Sequence, residues 1–186
     1  MIRTFIGVKV DVAEDLKNAV ALLKHSFRNE NIKWVDFSNL HVTLGFIGST
    51  DEQKVKEVIL MLKKKFTGFG NIEFSIKGFG VFKSFKDPRI IFSGIENKDK
   101  LVAAFETTKE GLKDLDIKLE ERQFNPHLTI GRIKALENKK NLQDLIQGYS
   151  GIEFQHVIIS EVIYYESVLL PTGPIYKPIT KILLNS

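Results

Sequence analysis

The most constraining feature of the chain is a six-residue pattern that occurs twice, once in each half. His41-Val42-Thr43-Leu44-Gly45-Phe46 and His127-Leu128-Thr129-Ile130-Gly131-Arg132 both read His, apolar, Thr, apolar, Gly. Successive side chains of a strand point to opposite faces, so His41, Thr43 and Gly45 are expected on one face and Val42, Leu44 and Phe46 on the other. The apolar face is read as packing into a core, while the His/Thr face looks into open space. Two such strands brought side by side set two imidazoles and two hydroxyls around one cavity, which is equipment for acid–base chemistry on an anionic group.

A single histidine with a threonine two places on carries little meaning. With nine threonines and four histidines in 186 residues, about 5% of histidines should have one there, and two of four is roughly a 1–2% coincidence before the matching flanks are counted. The other two histidines lack the pattern. His25 falls near the C-terminal end of an expected helix, where the dipole favours a cation, and is read as structural or exposed; His156 falls on an apolar strand and is read as structural.

The length suits one domain, or one domain made of two similar lobes, with a substantial core. Lys9, Asp11, Glu14 and Asp15 interrupt the N-terminal apolar run, and no stretch reaches the roughly 18 apolar residues of a membrane span. A soluble cytoplasmic protein with no membrane partner is therefore expected, a monomer by default. The absence of cysteine excludes disulfides, thiol nucleophiles and cysteine-based zinc sites. A formal charge of +4 and a pI near 9.1 favour anionic partners, nucleic acid included, although Lys63-Lys64-Lys65 and Lys139-Lys140 read as solvated helix faces.

Along the chain, residues 2–10 read as a mostly buried strand, and Asp11 as the cap of a helix over 12–27, where Val12, Leu16, Val20 and Leu23 recur at helical spacing. The first His/Thr strand follows a turn rich in Asp36, Ser38 and Asn39. Ser49 or Thr50 is expected to cap a second helix to about Phe66. Strands are predicted near 72–77, 78–82 and 89–93, then a helix over 98–115. The polar stretch Glu120-Glu121-Arg122-Gln123 leads through Pro126 into the second His/Thr strand, followed by a helix near 136–147. Strands at 152–159, 161–169 and 175–183 close the chain, with Pro171-Thr172-Gly173-Pro174 as the last turn. The order strand, helix, His/Thr strand, helix, further strands thus runs twice, with no Pro-, Gly- or Ser-rich linker between the halves. The expectation is a single α+β domain over 1–186, a two-lobed duplicated fold with HxTx motifs at 41–44 and 127–130. Mostly antiparallel sheets face a central cleft, with helices on the outside.

With these residues in view, the chain resembles the two-histidine phosphoesterase superfamily, and within it the RNA 2′,3′-cyclic phosphodiesterases, historically called 2′-5′ RNA ligases. The carriers are Arg3 to Val10, Trp34-Val35, the run Asn39 to Gly48, Pro126-His127-Leu128-Thr129, and the tail from Glu166-Ser167 through Gly173-Pro174-Ile175-Tyr176. The resemblance implies hydrolysis of an RNA 2′,3′-cyclic phosphate end to a 2′-phosphomonoester, with His41 as proton donor and His127 as proton acceptor. It also implies that Thr43 and Thr129 contact the phosphate, that Arg132 assists in binding it, and that tRNA halves are among the RNA partners.

The chemistry supports that implication independently. Opening a cyclic phosphodiester with water needs a base for the nucleophile and an acid for the departing oxygen. Two imidazoles with unperturbed pKa near 6.5 supply both near neutrality, and hydroxyls with a guanidinium stabilise the non-bridging oxygens. Residue chemistry alone leaves open which histidine is acid and which is base. There is no HExxH, no His-x-His and no acidic cluster beside either motif, so no metal and no cofactor is expected. Phe79, Phe82, Phe85 and Trp34 read as core more readily than as platforms for a base. The alternatives are a 2′-5′ RNA ligase joining tRNA-type halves and an RNA-binding module without turnover.

Overall fold

The computed structural model describes residues 1–119, 123–171 and 173–184. The first half carries β1 (Ile2–Lys9), α1 (Glu14–Ser26), β2 (Asn31–Trp34), β3 (His41–Thr50), α2 (Glu52–Phe66) and β4 (Ile72–Phe82). The second carries β5 (Ile90–Glu96), α3 (Asp99–Lys113), β6 (His127–Ala135), α4 (Lys139–Gly148), β7 (Glu153–Ile159), β8 (Glu161–Leu170) and β9 (Gly173–Leu183). The strands form two antiparallel sheets, one ordered β3-β1-β8-β9 and the other β2-β6-β5-β4-β7. This is the α+β architecture expected, with one difference in how the halves are used. β2 and β4 from the first half belong to the second sheet, and β8 and β9 from the second half complete the first, so each lobe is built from both halves of the sequence.

Each helix lays its apolar stripe on a sheet. Leu16, Val20 and Leu23 of α1 are fully buried, each contributing about 1.5–3 kcal/mol by leaving water. α3 lies against both β3 and β4, one strand from each sheet, so a single apolar cluster runs through both lobes. A second, smaller cluster of Phe5, Ile163 and Tyr165, with Tyr176 against it, lies apart from the main core. Between strands, the Thr4 and Thr50 hydroxyls pair at 2.7 Å, and the buried Tyr164 hydroxyl donates to Thr4 Oγ1 at 3.1 Å. No helix of the described residues is long and apolar enough to cross a membrane.

Several local expectations are corrected. Asp11 does not cap α1: the Gln155 side chain accepts from Ala13 N at 2.7 Å and donates to Asp11 O at 2.8 Å, so a β7 residue pins the helix start. Ser49 and Thr50 still belong to β3, and Asp51 caps α2 by accepting from Lys54 N at 2.8 Å. The segments 72–77 and 78–82 form one strand, kinked where Gly78 slips the register between β4 and β5. α4 starts at Lys139 under an Asn138 cap, three residues later than the periodicity suggests. The polar stretch at 120–122 and Thr172 of the last turn lie outside the described residues.

Candidate active site

The two His/Thr strands do not alternate as a plain strand would. Along β1 and β3 the pairs Val8 with Val42 and Gly7 with Thr43 are followed by Ile6 with Gly45, so Leu44 is an extra residue. Along β5 and β6, Phe92 pairs with Thr129 and Ile91 with Gly131, so Ile130 is extra in the same way. Each is a β-bulge, two residues opposite one. As a result Leu44 and Gly45, and likewise Ile130 and Gly131, are buried in succession. The glycine suits the close packing there: a Cβ at Gly45 would lie 3.2 Å from Thr108 and 3.3 Å from Leu112 of α3, and one at Gly131 would lie 3.1 Å from the Trp34 ring, so the neighbouring side chain would have to give way. The expectation that Gly45 shares the His41 face and Phe46 the core face is therefore overturned. Phe46 is about half exposed, at 48%, beyond the bulge on the His41 side. Arg132 comes to the His127 side by the same device.

Each imidazole is fixed by the backbone two residues before it. His41 Nδ1 lies 2.7 Å from Asn39 O and His127 Nδ1 lies 2.9 Å from Asn125 O. A carbonyl only accepts, so Nδ1 carries the proton, and Nε2 is left to exchange one with a ligand. The repeat thus extends to Asn-x-His-x-Thr, a signal visible in the sequence at Asn39 and Asn125 but read there only for Asn39.

Aromatic rings enclose both histidines. Around His41 stand Phe5 and Tyr176, with ring centroids at 5.0 and 4.9 Å, and Tyr165 at 6.4 Å. Around His127 stand Phe82 at 4.6 Å and Phe92 at 5.7 Å. Gly80 opposite Phe92 leaves room for that ring, which a Cβ would meet at 2.5 Å. Phe82 therefore belongs to the site. Phe79 is core against Tyr149 and Phe154, and Phe85 and Trp34 are partly buried against the main cluster. Tyr165 was missed by sequence reading, and Tyr176 was singled out there only as part of the tail motif with no place at the site, because the position of both depends on the pairing of β8 with β1 and β9. Beside His41 a cavity of about 190 Å³ is lined by Asn39, Tyr165, Tyr176, Lys9 and Lys181 among others.

The enclosure sets the electrostatics. Burial pushes the His41 pKa below its usual value, opposed by the hydrogen bond to the Asn39 carbonyl and reinforced by the charges of Arg132 and His127. His127 is lowered by burial and by Arg132, against the hydrogen bond to Asn125. Arg132 thus acts on both imidazoles, one from each lobe. Tyr165 is pushed up to about 12, first by burial and then by Glu161 and Asp11, so it stays protonated.

Of the residues singled out from sequence, His41 and Thr43 face Lys9 and Gly7 across the β1–β3 ladder, and His127 and Thr129 face Gly94 and Phe92. Arg132 is exposed and flanked by Ile90 and Lys33. His25 is exposed, 3.4 Å from Arg28 Nη1. His156 is on the surface of β7 with Nε2 3.6 Å from the Glu73 carboxylate. Among the described residues no three His, Asp or Glu side chains converge on a point where they would hold a metal ion.

Two antiparallel sheets joined through one core, each carrying a bulged His-x-Thr strand, define the two-histidine phosphoesterase class. Within it, the profile of the family described as LigT like Phosphoesterase matches residues 6–92 and 95–176, and the chain belongs to that family. An RNA 2′,3′-cyclic phosphodiesterase of Thermotoga maritima is 38% identical over 182 residues, covering 94% of this chain and 91% of the relative. One from Methanocaldococcus jannaschii is 36% identical over 177 residues, covering 95% and 98%. Among solved structures, a Thermus thermophilus protein superposes with a TM-score of 0.79 at 23% identity, covering 98% of both chains. E. coli LigT complexed with 3′-AMP gives 0.74 at 17%, covering 100% and 99%. These two likenesses establish the fold.

Proposed function

We propose that the protein hydrolyses RNA 2′,3′-cyclic phosphate ends to 2′-phosphomonoesters, with two histidines as acid and base and without a metal. The observation that carries this reading is the matched pair of imidazoles, each held at Nδ1 by a backbone carbonyl and both under the charge of Arg132. The activity that the curated relatives are named for supports it.

In this reading His127 takes a proton from water as the water oxygen bonds to phosphorus. The bond from phosphorus to O3′ breaks, and His41 gives its proton to that oxygen, leaving the phosphate on O2′. Thr43, Thr129 and Arg132 hold the non-bridging oxygens, where charge builds in the transition state. One turnover leaves His127 protonated and His41 neutral, so each ring regains its starting state by proton exchange with solvent before the next. The chain works as one two-lobed unit, because strands from both halves build both lobes, and the monomer is its default state. Its substrate class, tRNA halves included, suits the cytoplasm.

The test is incubation, in EDTA, with a short RNA ending in a 2′,3′-cyclic phosphate, and identification of the end by mass and phosphatase sensitivity. A 2′-monophosphate is expected. A joined RNA would assign ligation instead, and an unchanged end with folded protein would overturn the proposal.

A further inference from the structure

The cleft holds a second guanidinium that the hydrolytic step does not use. Arg3 of β1 is exposed, and its guanidinium carbon stands 4.8 Å from the centroid of the Phe46 ring, within cation–π range. Phe46 is available for this only because the bulge at Leu44 turns it to the His41 side. Phe5, two residues on from Arg3, packs against His41, so the same strand carries both side chains toward the cleft. The Tyr176 ring stands against His41 at 4.9 Å, and the charges of both Arg132 and Arg3 act on its hydroxyl. One arginine from each lobe thus lends its charge to the Tyr176 hydroxyl. Among the described residues no carboxylate lies within 4.0 Å of Arg3, so its charge is available to a ligand.

Substrate chemistry narrows what that ligand is. An RNA that ends in a cyclic phosphate has nothing beyond that phosphate, so every other anionic group lies on the 5′ side. Phe46 is one cleft-facing step past Thr43, about 7 Å along the strand, a distance on the scale of one nucleotide of an extended chain. We infer that Arg3, held on the Phe46 ring, binds the phosphodiester immediately upstream of the cyclic end and so lets the cleft prefer an RNA strand over a cyclic mononucleotide. This rests on the hydrolytic reading above and adds a subsite to it. A planar fork on an aromatic face suits a phosphodiester, since stacking fixes the plane while the N–H groups remain free to donate.

The experiment compares kcat/KM for a dinucleotide ending in a 2′,3′-cyclic phosphate with that for the corresponding cyclic mononucleotide, in wild type, Arg3→Ala and Arg3→Gln. The ratio of dinucleotide to mononucleotide should fall about tenfold or more in both variants, the size of one lost charged hydrogen bond. The log–log salt dependence for the dinucleotide should become shallower by about 0.7, one phosphate contact on a single strand. Phe46→Leu should lower the ratio in the same direction, because the guanidinium loses its seat. A ratio that stays at the wild-type value in Arg3→Ala and Arg3→Gln, with both substrates still hydrolysed, overturns the inference and leaves the two-histidine reading in place. Hydrolysis of neither substrate by the folded wild type fails that reading, and the inference with it.

Discussion

Phe46 and Arg132 occupy equivalent places in the two lobes: each is the residue after the bulge glycine, and each pairs across the ladder, with Phe5 and with Ile90 respectively. One lobe therefore offers an aromatic face and the other a cation where the pseudo-symmetry would allow the same group. In the proposed reaction, a cleft symmetric in its histidines and asymmetric here would hold a phosphate in one orientation and so set the acid role apart from the base role.

Arg132→Ala should lower kcat/KM on a cyclic-phosphate RNA by about 10²-fold, the usual loss for one preorganised donor to a developing oxyanion. Arg132→Lys should recover part of that, keeping the charge but not the planar fork. Steady-state kinetics decide it, and unaltered constants would remove Arg132 from the site.

Either His41→Ala or His127→Ala should cost about 10²–10⁴ in kcat, with the double variant little worse than the worse single one, because acid and base act together. Circular dichroism should stay native, since both rings are half-buried at the cleft rather than in the main cluster. Turnover that survives both substitutions would refute the mechanism.

The pH dependence follows from the depressed imidazoles. Both titrate below the ordinary value, which is about 6.5, and the working form needs one protonated and one neutral ring. The bell of kcat/KM should therefore be displaced to the acid side of the one that two unperturbed imidazoles would give, with both its alkaline limb, where the acid loses its proton, and its acid limb, where the base gains one, below the ordinary value. Removing the Arg132 charge should move both limbs toward higher pH. An optimum well above neutrality in the wild type would contradict the assignment. The same depression makes the fold's share of stability from these rings present above the unfolded pKa and lost as pH falls from about 6.5 through the folded values.

Away from the cleft, Thr4→Val should cost about 1–3 kcal/mol in urea unfolding, because it strips a partner from the buried Tyr164 hydroxyl. Gly45→Val should cost about 1–3 kcal/mol by overpacking against Thr108 and Leu112. A neutral result for Gly45→Val would mean that α3 yields at that contact.

The hydrophobic periods of the helices carried their positions well, since Leu16, Val20 and Leu23 need only their own helix to mark its buried side. Their ends were read less well. The start of α1 is pinned by Gln155, 142 residues away from Ala13, and no local pattern could show that.

What the sequence determined by itself was the chemistry and its twofold repetition: two histidines, two threonines and an arginine at fixed offsets, with each histidine and its threonine two places apart on one face of a strand. These are local facts, set by spacing along one strand. The tertiary structure alone decided that Arg132 and Phe46 share a side with the histidines, because a bulge exists only relative to the strand opposite. It also decided that β2, β4, β8 and β9 cross to the other lobe, and that Phe5, Tyr165, Tyr176, Phe82 and Phe92 enclose the imidazoles. Those depend on which strands pair and in what register, a choice made by burying one common core rather than by any segment alone.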